Sequence, residues 1–243
     1  MLKRPVIALV TAYNEEKTIG NVLDVLKKCS NVDRIQVVDD GSHDATRQIA
    51  EQKEVPVISL PNRIPVGKAI IHHLSNIPEK DCTLLWCDAD LINLAVEHIE
   101  SILKNLEDND VAMSIGGKDH FAFLPFPISA IFPLWIINKS LPIFTFFNFY
   151  LGGERAIHRQ VFEKAIRYSK LSSGYGIIIL LNLYCKKFDK GYVATFLPKL
   201  THREKYQKWG WKGFLEIIPQ MFQFFIAHIK IRIMLYRDYS KRR

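Results

Sequence analysis

Two aspartates one residue apart, Asp88 and Asp90, close an apolar run in the segment LLWCDADL. Carboxylates at that spacing, where the pleat of a strand gives way to a loop, can reach a hard divalent cation and a ribose together. Alone the pair is a weak signal, because acidic residues after strands are commonly solvated loop residues. Other polar groups follow apolar runs in the same way: Thr11, Tyr13, Asn14 and Glu15 after one, Asp39 and Asp40 after another. Asp40 can accept a hydrogen bond from a base N–H, and Lys68, just after Gly67, supplies a compact positive charge for phosphate. Each has a plainer reading: Asp39 or Asp40 as the cap of a turn, Tyr13 as a core aromatic, Lys68 as a solvated helix residue. Glu154 and Arg155 follow a glycine pair in GGER that lets the backbone approach a ligand closely. The plainer reading of that pair is a buried ion pair.

The elements that must position these groups alternate. Strand-like runs extend from Val6 to Ala12, Ile35 to Val38, Val55 to Leu60 and Thr83 to Cys87. Between them lie a helical pattern with Ile19, Val22, Leu23, Val25 and Leu26, for which Asn14 is the expected cap, and a second helix begun by Asp44 and reaching about Lys53. A loop with Pro61, Pro65 and Gly67 leads into a further helix from about Lys68. Parallel strands need crossover connections, so this order predicts a mostly parallel sheet with helices on both faces and ligands at the carboxyl ends of its strands.

Bulk properties narrow the field. The chain has 243 residues, 48% hydrophobic and 24% charged, a balance that excludes a disordered protein and suits one domain with an appendage. Its net charge of +8 favours polyanions, whether nucleotide phosphates, nucleic acid or an acidic membrane face. Nucleic acid is the weakest of these, because the aromatics lie in continuous apolar runs and do not interleave with basic residues. The four cysteines, Cys29, Cys82, Cys87 and Cys185, show no paired CxxC spacing and read as reduced core thiols in a cytosolic setting. The N-terminus enters directly into PVIALVTAY, without the pattern of a secretory signal, so export is not expected.

After Lys118 the texture changes. The stretch 121–151 is apolar and aromatic but interrupted by Pro125, Pro127, Pro133, Pro142 and Lys139. A transmembrane helix needs roughly 20 predominantly apolar residues, and four prolines favour short helices on or near a membrane over a span. Further on, Phe214, Ile217, Ile218, Met221, Phe222, Phe225 and Ile229 recur at helical spacing, with Lys230, Arg232, Arg237, Lys241, Arg242 and Arg243 at and beyond the end. That is the pattern of a basic amphipathic helix on an anionic membrane surface. The alternative is that both stretches pack into a core or a homodimer interface.

Taken in order, ALVTAYNEEKTIGNVL, IQVVDDGSHDAT, VGKA and LLWCDADL resemble the family 2 glycosyltransferases of GT-A fold and their relatives. The resemblance implies that Thr11, Tyr13 and Glu15 at the end of the first strand bind the nucleoside. It assigns Asp40 to the base with Asp39 in support, and Lys68 to the diphosphate. The second half, GGERAIHRQVFE and the segment from SGYG to THRE, is similar to polyprenyl-phosphate sugar transferases and glucosyl-3-phosphoglycerate synthases. In such proteins a late histidine can complete the metal shell, which places His202 with Asp88 and Asp90; the plainer reading is a core or surface histidine. Manganese suits an imidazole nitrogen better than magnesium does. Relatives often carry a carboxylate just after GYG, where this chain has Ile177, Ile178 and Ile179. An inverting transfer needs a general base unless the acceptor is already ionised. The departure therefore leaves three readings: a phosphate acceptor, a retaining mechanism, or a shifted base such as Glu154.

These readings combine into one expectation. The fold is α/β of GT-A type, with a nucleotide-sugar-binding half at 1–118, an acceptor half at 119–205 and a basic amphipathic C-terminal helix at 206–243. The activity is transfer of a hexose from a nucleotide diphosphate sugar, with Mn2+ or Mg2+ at Asp88 and Asp90 and with Glu154 and Arg155 as further candidates for the chemistry. The leading acceptor is lipid-linked, such as a polyprenyl phosphate at the cytosolic membrane face. The alternatives are a soluble phosphorylated acceptor such as phosphoglycerate, and a non-catalytic nucleotide-sugar-binding scaffold.

Overall fold

The computed structural model describes residues 4–61, 74, 77–108, 110–117, 153–168, 176–188, 191–203, 226 and 229–237. In chain order they form β1 (Val6–Ala12), α1 (Ile19–Lys28), β2 (Arg34–Asp39), α2 (Thr46–Gln52), β3 (Val57–Ser59), β4 (Thr83–Asp88) and α3 (Val96–Lys104). There follow a 3-10 turn (Asn105–Glu107), β5 (Met113–Gly117), β6 (Arg155–His158), α4 (Arg159–Ile166), α5 (Gly176–Phe188) and β7 (Tyr192–Phe196). Residues 229–237 are helical. Lys68, the apolar stretch 121–151 and the apolar positions from Phe214 to Phe225 lie outside the described residues.

The strands make one sheet in the order β3-β2-β1-β4-β6-β5-β7. β1 pairs in parallel with β2 and β4, as does β2 with β3 and β5 with β7. β6 is the exception, running antiparallel between β4 and β5. An antiparallel strand starts where its neighbour ends, so β6 brings its N-terminal approach, Gly153 and Glu154, to the carboxyl end of β4.

The two faces follow from the period of two along each strand. Val6, Ala8, Val10 and Ala12 of β1, with Leu85 and Cys87 of β4, pack against Ile19, Val22, Leu23 and Leu26 of α1 and Ile99, Ile102 and Leu103 of α3. Ile7, Leu9, Leu84 and Trp86 face the other way, against Val161, Phe162 and Ala165 of α4, the isoleucines of α5, and Ile231 and Leu235. Full burial of each valine, leucine, isoleucine or phenylalanine among them contributes about 1.5–3 kcal/mol. The ring of Trp86 meets Phe162 edge to face at 5.3 Å.

Asn14 does not cap the first helix. Its backbone is left-handed (φ 56°), α1 begins only at Ile19, and the Glu15 carbonyl accepts the Thr18 and Ile19 amides at 3.0 Å each. Asn is one of the few side-chain-bearing residues that enter this region readily. None of the four cysteines forms a disulfide, and all are buried. Burial pushes the thiols of Cys29 and Cys82 up, away from the reactive thiolate. Among the described residues no helix is long and apolar enough to cross a membrane.

Candidate active site

The polar groups collect at one edge of the sheet. Thr11 of β1 and Asp88 of β4 are direct partners in the parallel ladder, and the Thr11 hydroxyl donates to Asp88 Oδ1 at 3.1 Å. On the other side of β4, Trp86 is in register with Arg155, so the position across from Asp88 belongs to Gly153. A Cβ at Gly153 would lie 2.1 Å from Asp88 Oδ2 and 3.0 Å from its Cγ. Only a glycine lets the backbone pass there. The close approach expected of the GGER glycines is thus made to the first motif aspartate itself.

Asp39 and Asp40 divide their labour. Asp39 is buried; its Oδ1 accepts the Ser42 amide at 3.1 Å and its Oδ2 the Ser59 hydroxyl at 3.3 Å. It builds the turn, which Gly41 completes with φ 78°, a left-handed value that favours glycine. Asp40 sits at the sheet edge, its amide donating to the Ala12 carbonyl at 2.9 Å, and it is only partly buried. Tyr13 is also half-buried and belongs to none of the core clusters. Glu15 is buried, with its amide on Thr46 Oγ1 at 2.7 Å and its Oε2 at 3.8 Å from an Arg203 guanidinium nitrogen.

A distant segment closes the edge. Leu91 and His202 form an antiparallel bridge, the Arg203 amide donates to the Asp90 carbonyl at 2.8 Å, and the Ile92 amide to the Thr201 carbonyl at 3.0 Å. His202 is therefore carried next to Asp90 by backbone pairing. Among the described residues no three His, Cys, Asp or Glu side chains converge into a closed metal-binding group. Asp88, Asp90 and His202 share one edge of the sheet without forming such a cage.

Glu154 and Arg155 are fully buried. The Glu154 carbonyl accepts the Gly116 amide at 2.8 Å, tying β5 to the approach of β6. Arg155 Nη1 donates to Asn182 Oδ1 of α5 at 3.3 Å. Desolvation lowers the Arg155 pKa to about 10, while Glu154, then Asp88, oppose the shift through their charge. The guanidinium is thus still a cation at neutral pH, and it stands behind Asp88. Ile177, Ile178 and Ile179 are buried in the core of α5.

Sequence reasoning missed Gly153 as a partner of Asp88, the acceptor Asn182, and Arg203. Asn182 did carry a signal: one amide in the apolar run GIIILLNLYC must find a polar partner if that run is buried. The others depend on contacts between distant parts of the chain.

This edge belongs to a known class. The family model for Glycosyl transferase family 2 matches residues 7–166, and the chain belongs to that family. An uncharacterized protein of Methanocaldococcus jannaschii is 26% identical over 228 residues, covering 90% of this chain and 98% of that protein. Glucosyl-3-phosphoglycerate synthase from Mycobacterium tuberculosis, solved with Mn2+, UDP-glucose and phosphoglyceric acid, superposes with a TM-score of 0.63 at 20% identity, over 88% of this chain and 79% of that one. The same enzyme with Mg2+ and UDP gives 0.62 at 21% identity, over 88% and 79%. The fold is accordingly the α/β GT-A fold, its mostly parallel sheet flanked by helices.

Proposed function

We propose that this protein transfers a hexose from a nucleotide diphosphate sugar to a phosphorylated acceptor, with Mn2+ or Mg2+ at the diphosphate. One observation carries the reading: Asp88 and Asp90, at and just after the end of the central strand, share one sheet edge with the Asp39–Ser42 turn and adjoin the His202 segment, on a chain of family 2. The donors suit a hard cation. Such cations are commonly held by one or two carboxylates together with substrate phosphates, and they need no closed protein cage. Once bound, the cation would neutralise the departing diphosphate.

The side chains then have distinct tasks. Asp40, at the edge and partly accessible, accepts from the base. Asp39 holds the turn that presents it. Thr11 orients the Asp88 carboxylate, and Asp90 and His202 offer oxygen and nitrogen donors on the adjoining loops. Tyr13 and Glu15 complete the donor side, and Lys68 is assigned to the diphosphate by its match to the family motif alone. Asp40→Ala is expected to weaken binding of the nucleoside diphosphate by about 1.5–3 kcal/mol, the worth of a charged hydrogen bond. Calorimetric titration checks it, and an unchanged affinity would leave Asp40 as a turn residue.

For the acceptor, the likeness to a synthase solved with phosphoglyceric acid supports a soluble phosphorylated molecule of the phosphoglycerate kind ahead of a lipid-linked phosphate. The buried isoleucines of α5 offer no base, which suits a retaining transfer or an acceptor already ionised. A specific observation keeps the lipid reading as a second one. Ile226, Ile229, Ile233 and Tyr236 are exposed at helical spacing, with Lys230, Arg232 and Arg237 exposed among them, and Lys187 Nζ lies 4.9 Å from the Tyr236 ring centroid. The experiment pairs transfer assays with liposome flotation. The soluble reading predicts transfer from a nucleotide diphosphate hexose to phosphoglycerate and no flotation at any anionic lipid content. Transfer to polyprenyl phosphate with salt-sensitive flotation would replace it by the lipid reading. Donor binding without transfer or hydrolysis across a donor and acceptor panel would make the chain a scaffold.

A further inference from the structure

We infer that Asn93 is a positioning residue for the divalent cation: its carboxamide pins the Lys199–Arg203 segment to the loop after β4 and so sets where His202 stands relative to Asp90. The inference rests on the proposed role of Asp90 and His202.

The backbone pairing between these segments is slight. It consists of the Leu91–His202 bridge, the Ile92 amide on the Thr201 carbonyl at 3.0 Å and the Arg203 amide on the Asp90 carbonyl at 2.8 Å. So short a two-stranded pairing is marginal in water without further support. Asn93 supplies that support from both ends of its amide. Oδ1 accepts the Thr201 amide at 2.7 Å and the Thr201 hydroxyl at 3.0 Å, while Nδ2 donates to the Lys199 carbonyl. Lys199 itself is left-handed, with φ 62°, an uncommon conformation for a residue with a side chain that the surrounding contacts help to hold.

A second peg stands beside the first. His98 is buried near the start of α3; its Nδ1 accepts the Ala95 amide at 3.1 Å, which leaves the proton on Nε2 to donate to the Pro198 carbonyl at 3.0 Å. Asn93 and His98 thus grip successive carbonyls, Pro198 and Lys199, at the base of the segment that ends in His202. With Asn93 gone, His98 still holds the base. What is lost is the fastening next to His202 itself, so the expected defect is in the placement of a cation donor and not in the fold.

The test is a Mn2+ titration of wild type and Asn93→Ala in the presence of UDP, read by the electron paramagnetic resonance signal of free Mn2+, with the unfolding temperature measured beside it. Groups hydrogen-bonded directly to metal ligands alter metal affinity by about 10–100-fold when removed, and Asn93, which fastens Thr201 next to His202, belongs at the lower end of that range. We expect a shift of about tenfold or more in Asn93→Ala, and a smaller one in Asn93→Asp, which keeps the oxygen facing Thr201 but loses the donor to Lys199. A variant that unfolds earlier yet binds Mn2+ as wild type does would overturn the inference. If Asn93→Ala fails to fold, Asn93→Asp and Thr201→Val carry the same test, and wild-type affinity in both defeats it. Absence of Mn2+ binding by the wild type would instead remove the cation site, and the inference with it.

Discussion

Asp90→Asn is expected to lower turnover by about two to three orders of magnitude at saturating donor, while the protein keeps its fold. The size follows from what is removed. Preorganised groups that meet charge as it develops in the transition state are worth about 10²–10³ each in turnover. A leaving diphosphate concentrates negative charge, and replacing a carboxylate by an amide halves the anionic donors offered to the neutralising cation. Asp90 is partly accessible on a loop, and its carbonyl, unchanged by the substitution, keeps the Arg203 amide at 2.8 Å. Stability should therefore stay near wild type in urea. Steady-state rates in Mn2+ decide the matter: wild-type turnover in the variant would take Asp90 out of the cation site.

Gly153→Ala is expected to cost about 10²-fold in kcat/KM, although the residue carries no chemistry. Its new methyl would stand 2.1 Å from Asp88 Oδ2, far inside contact distance. Asp88 has little room to yield, since Thr11 holds its other oxygen and its strand lies between β1 and β6. A displacement of about 1 Å at a reacting group can reduce rate by about 10²-fold. Forcing an extra methyl into packed surroundings costs about 1–3 kcal/mol of stability. Both are measurable, by kinetics and by chemical unfolding. Full activity in Gly153→Ala would mean that the Asp88 carboxylate need not lie where Thr11 places it.

The parts of the site that were readable in sequence share a cause. β1, β2 and β4 are continuous apolar runs that stop at polar residues, and a parallel sheet sends all those stops to one edge. Thr11, Asp39, Asp40, Asp88 and Asp90 could be placed from that rule alone. β6 broke it: a four-residue strand, RAIH, with a buried arginine and an antiparallel course, has neither the length nor the composition that marks a strand. Its insertion is what sets Gly153 on Asp88 and Arg155 behind it. The split between Asp39 and Asp40 was equally hidden, because either aspartate can cap a turn until side-chain directions are known. Asn93 lies among ordinary loop residues, and its partners are more than a hundred residues away in the chain. Asn14 misled for a local reason: a residue favoured as a helix cap is also one that tolerates the left-handed turn it adopts here.

The most direct test of the account is a thermal-shift titration of wild type and Asp90→Asn with UDP-glucose and other nucleotide diphosphate sugars, with Mn2+ and with chelator. Ligand binding to the folded state raises its stability by RT ln(1 + [L]/Kd), about 2.7 kcal/mol at a hundredfold excess over Kd. A clear upward shift is expected for the wild type with at least one nucleotide sugar and Mn2+ together, and a shift largely lost in chelator and in Asp90→Asn. Equal shifts with and without metal, in both proteins, would contradict it.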